Sequence, residues 1–300
     1  MRTNCEANEI DYQPSIDSRK FVYRVKLSVS IVTFESDRTL LAATFQSLLK
    51  SVTRAREALP ALHAQLYVIE NEVHHRRCLQ QVQQLLQSAQ SDVFADVKLS
   101  TSESNVGFGG GHNHAINALD SDIHLILNPD VELADDAILN ALEFFESAPE
   151  VGLLSPRAVD ANNSYLYLCK RYPAVFDLFV RGFVPQRWHH LFKERLSRYE
   201  MRELNVPQAS VAAIEIVSGC CMFVRTPLLQ AVGGFNDKYF LYFEDFDLSL
   251  RIGQLAGLAY VPSVNIIHYG GDAARKGWRH ILLFARSALR FFQDHGWRWV

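Results

Sequence analysis

The segment LYFEDFDLSLRI, residues 241–252, sets Glu244, Asp245 and Asp247 among aromatic and aliphatic residues and returns to Arg251. Burial and mutual repulsion both raise a carboxylate's pKa, so an acid here moves toward the range useful to a general base. At helical spacing Asp247 and Arg251 stand at i, i+4 and pair on one face. Glu244 and Asp245 then fall in the first turn, where negative charge meets the positive end of the helix dipole. Asp245 is the first candidate for a working base. The same acids would also serve simply to cap a helix and bind the arginine.

Three other places carry chemistry. Residues 105–113 (NVGFGGGHN) form a glycine-rich turn entering a helix, and its three consecutive glycines allow a backbone to approach a ligand that side chains would block. Neither its spacing nor its place in the chain matches the dinucleotide fingerprint, and an ordinary flexible turn would have the same composition. Asn128-Pro129-Asp130 follows an apolar run, so proline stops the strand and turns Asp130 outward. An acid so placed suits magnesium or manganese, which bind one or two protein carboxylates together with substrate phosphates. Glu132, Asp135 and Asp136 add negative charge, the last two fitting the cap of the next helix. His268 ends a β-like run before Tyr269-Gly270-Gly271 and is placed to meet a metal or phosphate, or to be a structural histidine.

The elements that would position these residues follow from periodicity. Residues 26–34 read as a buried strand, and Leu41, Phe45, Leu48, Leu49 and Val52 follow at helical spacing. Strands at 66–69, 97–99 and 123–127 alternate with amphipathic helices, which predicts a mostly parallel sheet covered on both faces. Thr33, Glu70, Asn105 and Asp130 then fall at the carboxyl ends of strands, where such sheets bind ligands. Residues 174–202 read as one or two aromatic, basic helices, 214–224 as strand, 259–268 as extended chain and 278–294 as a final helix.

With 300 residues and 48% apolar composition the chain supports a full core, and a net charge of -3 gives no global attraction to nucleic acid. The five cysteines, Cys5, Cys78, Cys169, Cys220 and Cys221, show neither metal spacing nor the even count of a disulfide framework, which points to a reducing compartment. A polar, acidic start up to Ser18 and the lack of an apolar run near the roughly 20 residues of a span predict neither a signal peptide nor a transmembrane helix.

The order of these motifs resembles family 2 glycosyltransferases, over residues 27–296. The pieces are SIVTF, VIEN, NVGFGGGHN, LNPDVEL, SPRAVD, KRYP, the long block from VSGCC to LRI, YVPSVNIIHYGG and RSALRFF. The likeness is nearest to the bacterial rhamnosyltransferase-like branch, which builds O-antigen, capsule or cell wall. It implies an α/β GT-A fold, Rossmann-like, with a helical acceptor-side region toward the C-terminus. It also implies a polar leader (1–25) and one domain (26–300), with residues 26–160 for the nucleotide sugar and 161–300 for the acceptor. Thr33, Glu35 and Glu70 correspond to the nucleotide site, Asn105, Gly107 and Gly111 to the loop over the diphosphate and sugar, and Asp245 to the base.

Asp130 matches the last acid of the family's Asp-X-Asp metal motif, and His268 a histidine that joins the metal or diphosphate. Asn128 stands where the first acid is usual, which leaves a less negative site, and Glu70 replaces the usual aspartate. The implied activity is inverting transfer of a sugar, rhamnose first, from a dTDP- or UDP-sugar with a divalent cation. The implied acceptor is a saccharide, polyprenyl-diphosphate-linked, and the implied place is the cytoplasm or the inner face of the plasma membrane. The alternative is a degenerate domain that binds nucleotide sugar or polysaccharide without transfer. A nucleotidyltransferase would need a basic glycine-rich loop after the first strand, which SIVTFES does not offer. The basic, aromatic residues of 174–202 and of the last helix (Trp278, Arg279, Phe284, Arg286, Arg290, Phe291, Phe292) suit an anionic membrane, the core or a homodimer interface.

Overall fold

A computed structural model describes residues 9–10, 24–71, 77–88, 93–204, 210–212, 214–270 and 278–300. Most of the polar leader, Cys5 and Gly271 lie outside the described residues. The first half runs β1 (Glu9–Ile10), β2 (Lys26–Thr33), α1 (Arg38–Ala58), β3 (His63–Glu70), α2 (Arg77–Ser88), β4 (Asp96–Thr101), α3 (Gly107–Ile116) and β5 (Ile123–Leu127). Then come β6 (Val131–Leu133), α4 (Ala137–Ser147), β7 (Val151–Val159), β8 (Tyr165–Leu166), β9 (Cys169–Lys170), α5 (Val175–Phe183), a 3-10 segment (Gln186–Phe192) and α6 (Lys193–Tyr199). The last third holds β10 (Ser210–Ala212), β11 (Ile216–Val217), β12 (Cys221–Arg225), α7 (Thr226–Ala231), α8 (Glu244–Gly253), β13 (Gly257–His268) and α9 (Trp278–His295).

One large sheet has the order β1-β10-β13-β7-β12-β5-β2-β3-β4, with β6 added to β13 and β8 to β7. The parallel pairing expected from strand–helix alternation holds over β5, β2, β3 and β4. Beyond β5 the sheet is mixed. β12 lies antiparallel to both β5 and β7 and is entered from a tight turn at Gly219–Cys220. That turn also divides the single strand expected over 214–224: β11 pairs with β9 in a separate two-stranded sheet, and β12 joins the large one.

Helices cover both faces. Leu27, Val29 and Ile31 of β2 pack with Leu41, Phe45, Leu48 and Val52 of α1, and Val32 faces the opposite cluster with Ile116, Leu248 and Ile252. The predicted cap of α4 takes another form: Asp136 sits at the N-cap position without a side-chain bond, and Ser51 Oγ of α1 accepts from Ile138 N at 3.1 Å. Residues 174–202 become α5 and α6 on either side of the 3-10 segment.

The α3-facing side of β2 carries a buried polar chain. Ser28 Oγ is 2.7 Å from His124 Nδ1, Ser30 Oγ is 2.8 Å from His124 Nε2, and Ser30 Oγ is 2.7 Å from His112 Nδ1. Both rings are fully buried, and burial pushes each down to about 3, so the folded protein holds them neutral. The unfolded chain takes up these protons near pH 6.5, so each ring withdraws stability as pH falls from about 6.5 toward 3, by up to about 1.4 kcal/mol per pH unit. Glu244 and Asp245, whose carboxyls burial pushes up, act with the opposite sign. The contribution of His124 is therefore isolated by comparing slopes. Urea unfolding between pH 7.5 and 4.5 is expected to show a stability–pH slope less positive for His124→Gln than for the wild type, by up to about 1.4 kcal/mol per pH unit, and equal slopes would contradict a neutral buried ring.

Candidate active site

Asp245 sits in the first turn of α8, half-buried, with its two oxygens already oriented. Gly219 N donates to Oδ2 at 2.8 Å and Phe246 N to Oδ1 at 2.9 Å. Burial pushes its carboxyl up to about 6, against those backbone N–H groups and the charge of Lys170, which pull it down. Glu244 is buried, its Oε2 has no hydrogen-bond partner, and burial together with the Asp245 charge pushes its carboxyl well up. Of the two, Asp245 is the acid that gives up its proton first. Asp247 and Arg251 pair at 2.7 Å as their spacing predicts, and Asp247 also meets His295 Nε2 at 2.8 Å. Tyr242 and Phe243, immediately before α8, have φ of 70° and 66°. Bulky residues held there cost about 1–2 kcal/mol each.

Asp130 lies between β5 and β6. The short β6 escaped the periodicity reading because three residues show no period, yet it places the site: Val131 pairs with His268 across β6 and β13. The His268 Nε2 thereby comes 3.4 Å from Asp130 Oδ1, and Tyr269 N donates to Asp130 O at 3.0 Å. Asp130 Oδ1 and Asn128 Oδ1 are both buried without a hydrogen-bond partner. An orphaned carboxylate oxygen beside an imidazole, with a second orphaned oxygen two residues earlier on the same strand end, fits a hard divalent cation. Among the described residues no group of three His, Cys, Asp or Glu gathers at metal-binding separation.

The 219–220 turn joins the two centres. Gly219 N holds Asp245, and the neighbouring Cys220 O accepts from Asn128 N at 2.9 Å. The Cys220 thiol is pushed up by burial first, then by the charges of Asp130 and Asp245 together.

The glycine loop is held by Asn71, a residue that sequence reasoning left as a strand end. Asn71 Nδ2 donates to Gly107 O at 2.7 Å and to Asn105 Oδ1 at 3.1 Å, and its Oδ1 accepts from Val106 N at 3.1 Å. Gly107 has φ 81°, and a Cβ there would collide with the Phe240 carbonyl that accepts from Phe108 N. A Cβ at Gly111 would come 2.6 Å from Val32 Cγ1. The close approach that these two glycines permit is to the protein itself, seating α3 on β2 and on the segment before α8.

Thr33 is buried at the end of β2, and Glu35 is exposed with φ 48° in the loop after it. Glu70 is buried with its carboxylate toward the N-terminus of α2, where Cys78 N and Leu79 N lie at 3.4 and 3.5 Å. Lys170 was also missed. It is buried on β9, its Nζ donates to Tyr167 O, and burial pushes its ammonium down to about 7. Only the tertiary pairing of β9 with β11 brings it near α8.

The mixed α/β sheet, with an acid–histidine pair beyond one strand and an oriented carboxylate in the first turn of α8, is that of a GT-A glycosyltransferase. The model of glycosyl transferase family 2 matches residues 28–224, and the chain belongs to that family of glycosyltransferases. It is similar to the N-acetylglucosaminyl-diphospho-decaprenol L-rhamnosyltransferase of Mycobacterium tuberculosis, 26% identical over 68% of this chain and 70% of that one. It also resembles rhamnosyltransferase WbbL of Escherichia coli, 29% identical over 54% of this chain and 61% of that one. In fold it is similar to GalNAc-T7, solved with UDP, GalNAc and Mn2+, with TM-score 0.60 and 13% identity over 90% of this chain; the chain spans 48% of that structure. The mannosyltransferase PcManGT of Pyrobaculum calidifontis, solved with GDP-Man and Mn2+, gives TM-score 0.57 and 16% identity over 90% of this chain and 65% of that one.

Proposed function

We propose that this chain is an inverting glycosyltransferase that moves rhamnose from a dTDP- or UDP-linked donor to a polyprenyl-diphosphate-linked saccharide in bacterial surface polysaccharide synthesis. The observation that carries the reading is the 219–220 turn, whose adjacent backbone groups hold Asp245 and Asn128 and so bring a base and a diphosphate site together. Asp245 takes the proton of the acceptor hydroxyl, and that oxygen bonds to the anomeric carbon from the face opposite the departing nucleoside diphosphate. Asn105 stands on the donor side, where Gly107 and Gly111 act by seating α3 and not by touching the donor, and Thr33 and Glu35 lie toward the nucleotide, with Glu70 behind them against α2. Asp130 and His268, with the Asn128 amide oxygen, would hold a magnesium or manganese ion, which when bound offsets charge on the diphosphate. Donor hydrolysis across a panel of nucleotide sugars tests the reading: turnover of a dTDP- or UDP-sugar supports it, and no turnover of any nucleotide sugar contradicts it.

The proposed place of action is a membrane surface. No helix among the described residues is long and apolar enough to cross a membrane. Along much of its length α9 instead exposes Trp278, Ile281, Leu282 and Leu289 beside Arg279 and Arg286. Phe291 and Phe292 are core residues on another face of the helix, and Arg290 pairs with Asp294 at 2.8 Å. Phe179, Trp188 and Leu191 are exposed near α5, whose first residues bond to the chain end through Val175 N to Arg298 O at 2.7 Å. Each basic group near an anionic surface contributes roughly 1 kcal/mol. The protein is expected to sediment with anionic vesicles at low salt, to release at high salt, and to bind less when Arg279 and Arg286 are replaced by glutamate. A protein that stays in the supernatant at low salt would overturn this attachment.

A further inference from the structure

The turn that delivers α8 is held, residue after residue, by α9. Its Tyr242 and Phe243 are consecutive aromatic residues in the left-handed region, a backbone that persists only where surroundings over-determine it. Beside the contacts of α3 with Phe240 and of Phe246 with Phe243, one face of one helix meets this turn along its length. The Leu241 carbonyl accepts from Ser287 Oγ at 2.8 Å, and Tyr242 OH lies 2.9 Å from His280 Nδ1. Tyr239 OH donates to Asp294 Oδ2 at 3.1 Å, and the Phe243 ring packs 5.1 Å from Phe284 and 5.3 Å from Phe291. Positions 280, 284, 287, 291 and 294 recur every three or four residues, which is the spacing of one helix face. Ser287 is buried, as are Phe291 and Phe243, so this contact is dry where it meets the strained residues.

We propose that Ser287 and His280 are positioning residues for Asp245: through Leu241 and Tyr242 they hold the left-handed turn and so fix the first turn of α8. The inference rests on the reading of Asp245 as base. Neither residue touches a reacting group, so their loss acts on the step that needs the carboxylate in place. The donor side meets this segment only at the backbone, through Phe108 N to Phe240 O, and is held besides by contacts that do not involve Ser287 or His280, those of Asn71, Cys220 and the β6–β13 pairing. Loosening the turn therefore separates kcat from donor affinity.

The test uses the full chain, with kcat and donor KM at saturating acceptor, melting temperature and donor calorimetry for each variant. Ser287→Ala is expected to lower kcat about five- to tenfold, the scale of one lost hydrogen bond, with donor KM and Kd within about twofold of wild type. Ser287→Thr, which keeps the hydroxyl, is expected to recover most of that loss. Tyr242→Phe removes the hydroxyl that meets His280 while keeping the ring, and is expected to lower kcat in the same sense. It carries the test alone if Ser287→Ala does not fold. If Asp245→Asn is inactive while every folded variant keeps kcat within about twofold of wild type, the positioning role is overturned and the base remains. If Asp245→Asn itself transfers sugar, both fall.

Discussion

Asp245→Asn is expected to lower transfer by at least about 10²-fold while donor affinity stays within about twofold of wild type, since general bases contribute typically 10²- to 10⁴-fold. Asparagine keeps the size of the side chain and still accepts from Gly219 N, so the 219–220 turn and its hold on Asn128 survive. The capacity to take a proton is removed, together with the acceptor oxygen on the Phe246 N side. The wild type supplies a matching pH signature: burial pushes the Asp245 carboxyl up to about 6, so kcat/KM is expected to decline as pH falls through that value, because the protonated acid is no base. Coupled assay of nucleoside diphosphate release, with calorimetry of donor binding, measures both effects. Transfer within about threefold of wild type would remove Asp245 from the reaction.

Asp130→Ala is expected to act in the opposite way, on donor binding. The change removes one of the two orphaned oxygens at the end of β5 and leaves His268 without its neighbour. Loss of a metal-shell partner costs roughly 10- to 100-fold in metal affinity, so donor affinity measured with manganese is expected to fall at least about tenfold, with a much smaller difference when manganese is left out. Equal donor affinity of the two proteins in manganese would remove Asp130 from a metal site. Asn128, neutral where an acid is usual in the family, makes Asp130 the sole carboxylate of that motif, which concentrates the effect on one residue.

Local physics made part of this site legible in the sequence. The Asp247–Arg251 pair follows from a four-residue spacing, and the first-turn place of Asp245 follows from the apolar period around it. β2 and β5 were legible because aliphatic and β-branched residues dominate both, although Ser28, Ser30 and His124 interrupt the apolar run and gave no sign of the buried polar chain they form. What escaped depends on partners far along the chain. His268 reaches Asp130 only through β6, too short to show a period, and Lys170 nears Asp245 only through the β9–β11 pairing. The break of residues 214–224 at Gly219–Cys220 was hidden because valine, cysteine and methionine on either side read as one apolar run, although the glycine marks the turn. The glycine loop was legible as a feature but not in its use, since the neighbours that forbid a Cβ at Gly107 and Gly111 are Phe240 and Val32, distant in sequence. The docking of α9 had a helical period and no visible partner; its contacts with the 239–243 turn are 38 to 55 residues away.

The central claim is a single displacement at the anomeric carbon with Asp245 as the one carboxylate required. Proton NMR of the product formed from a donor of known anomeric configuration tests it most directly. Inversion at that carbon is the expected result, whereas a product that retains the donor's configuration would contradict the mechanism and the role given to Asp245.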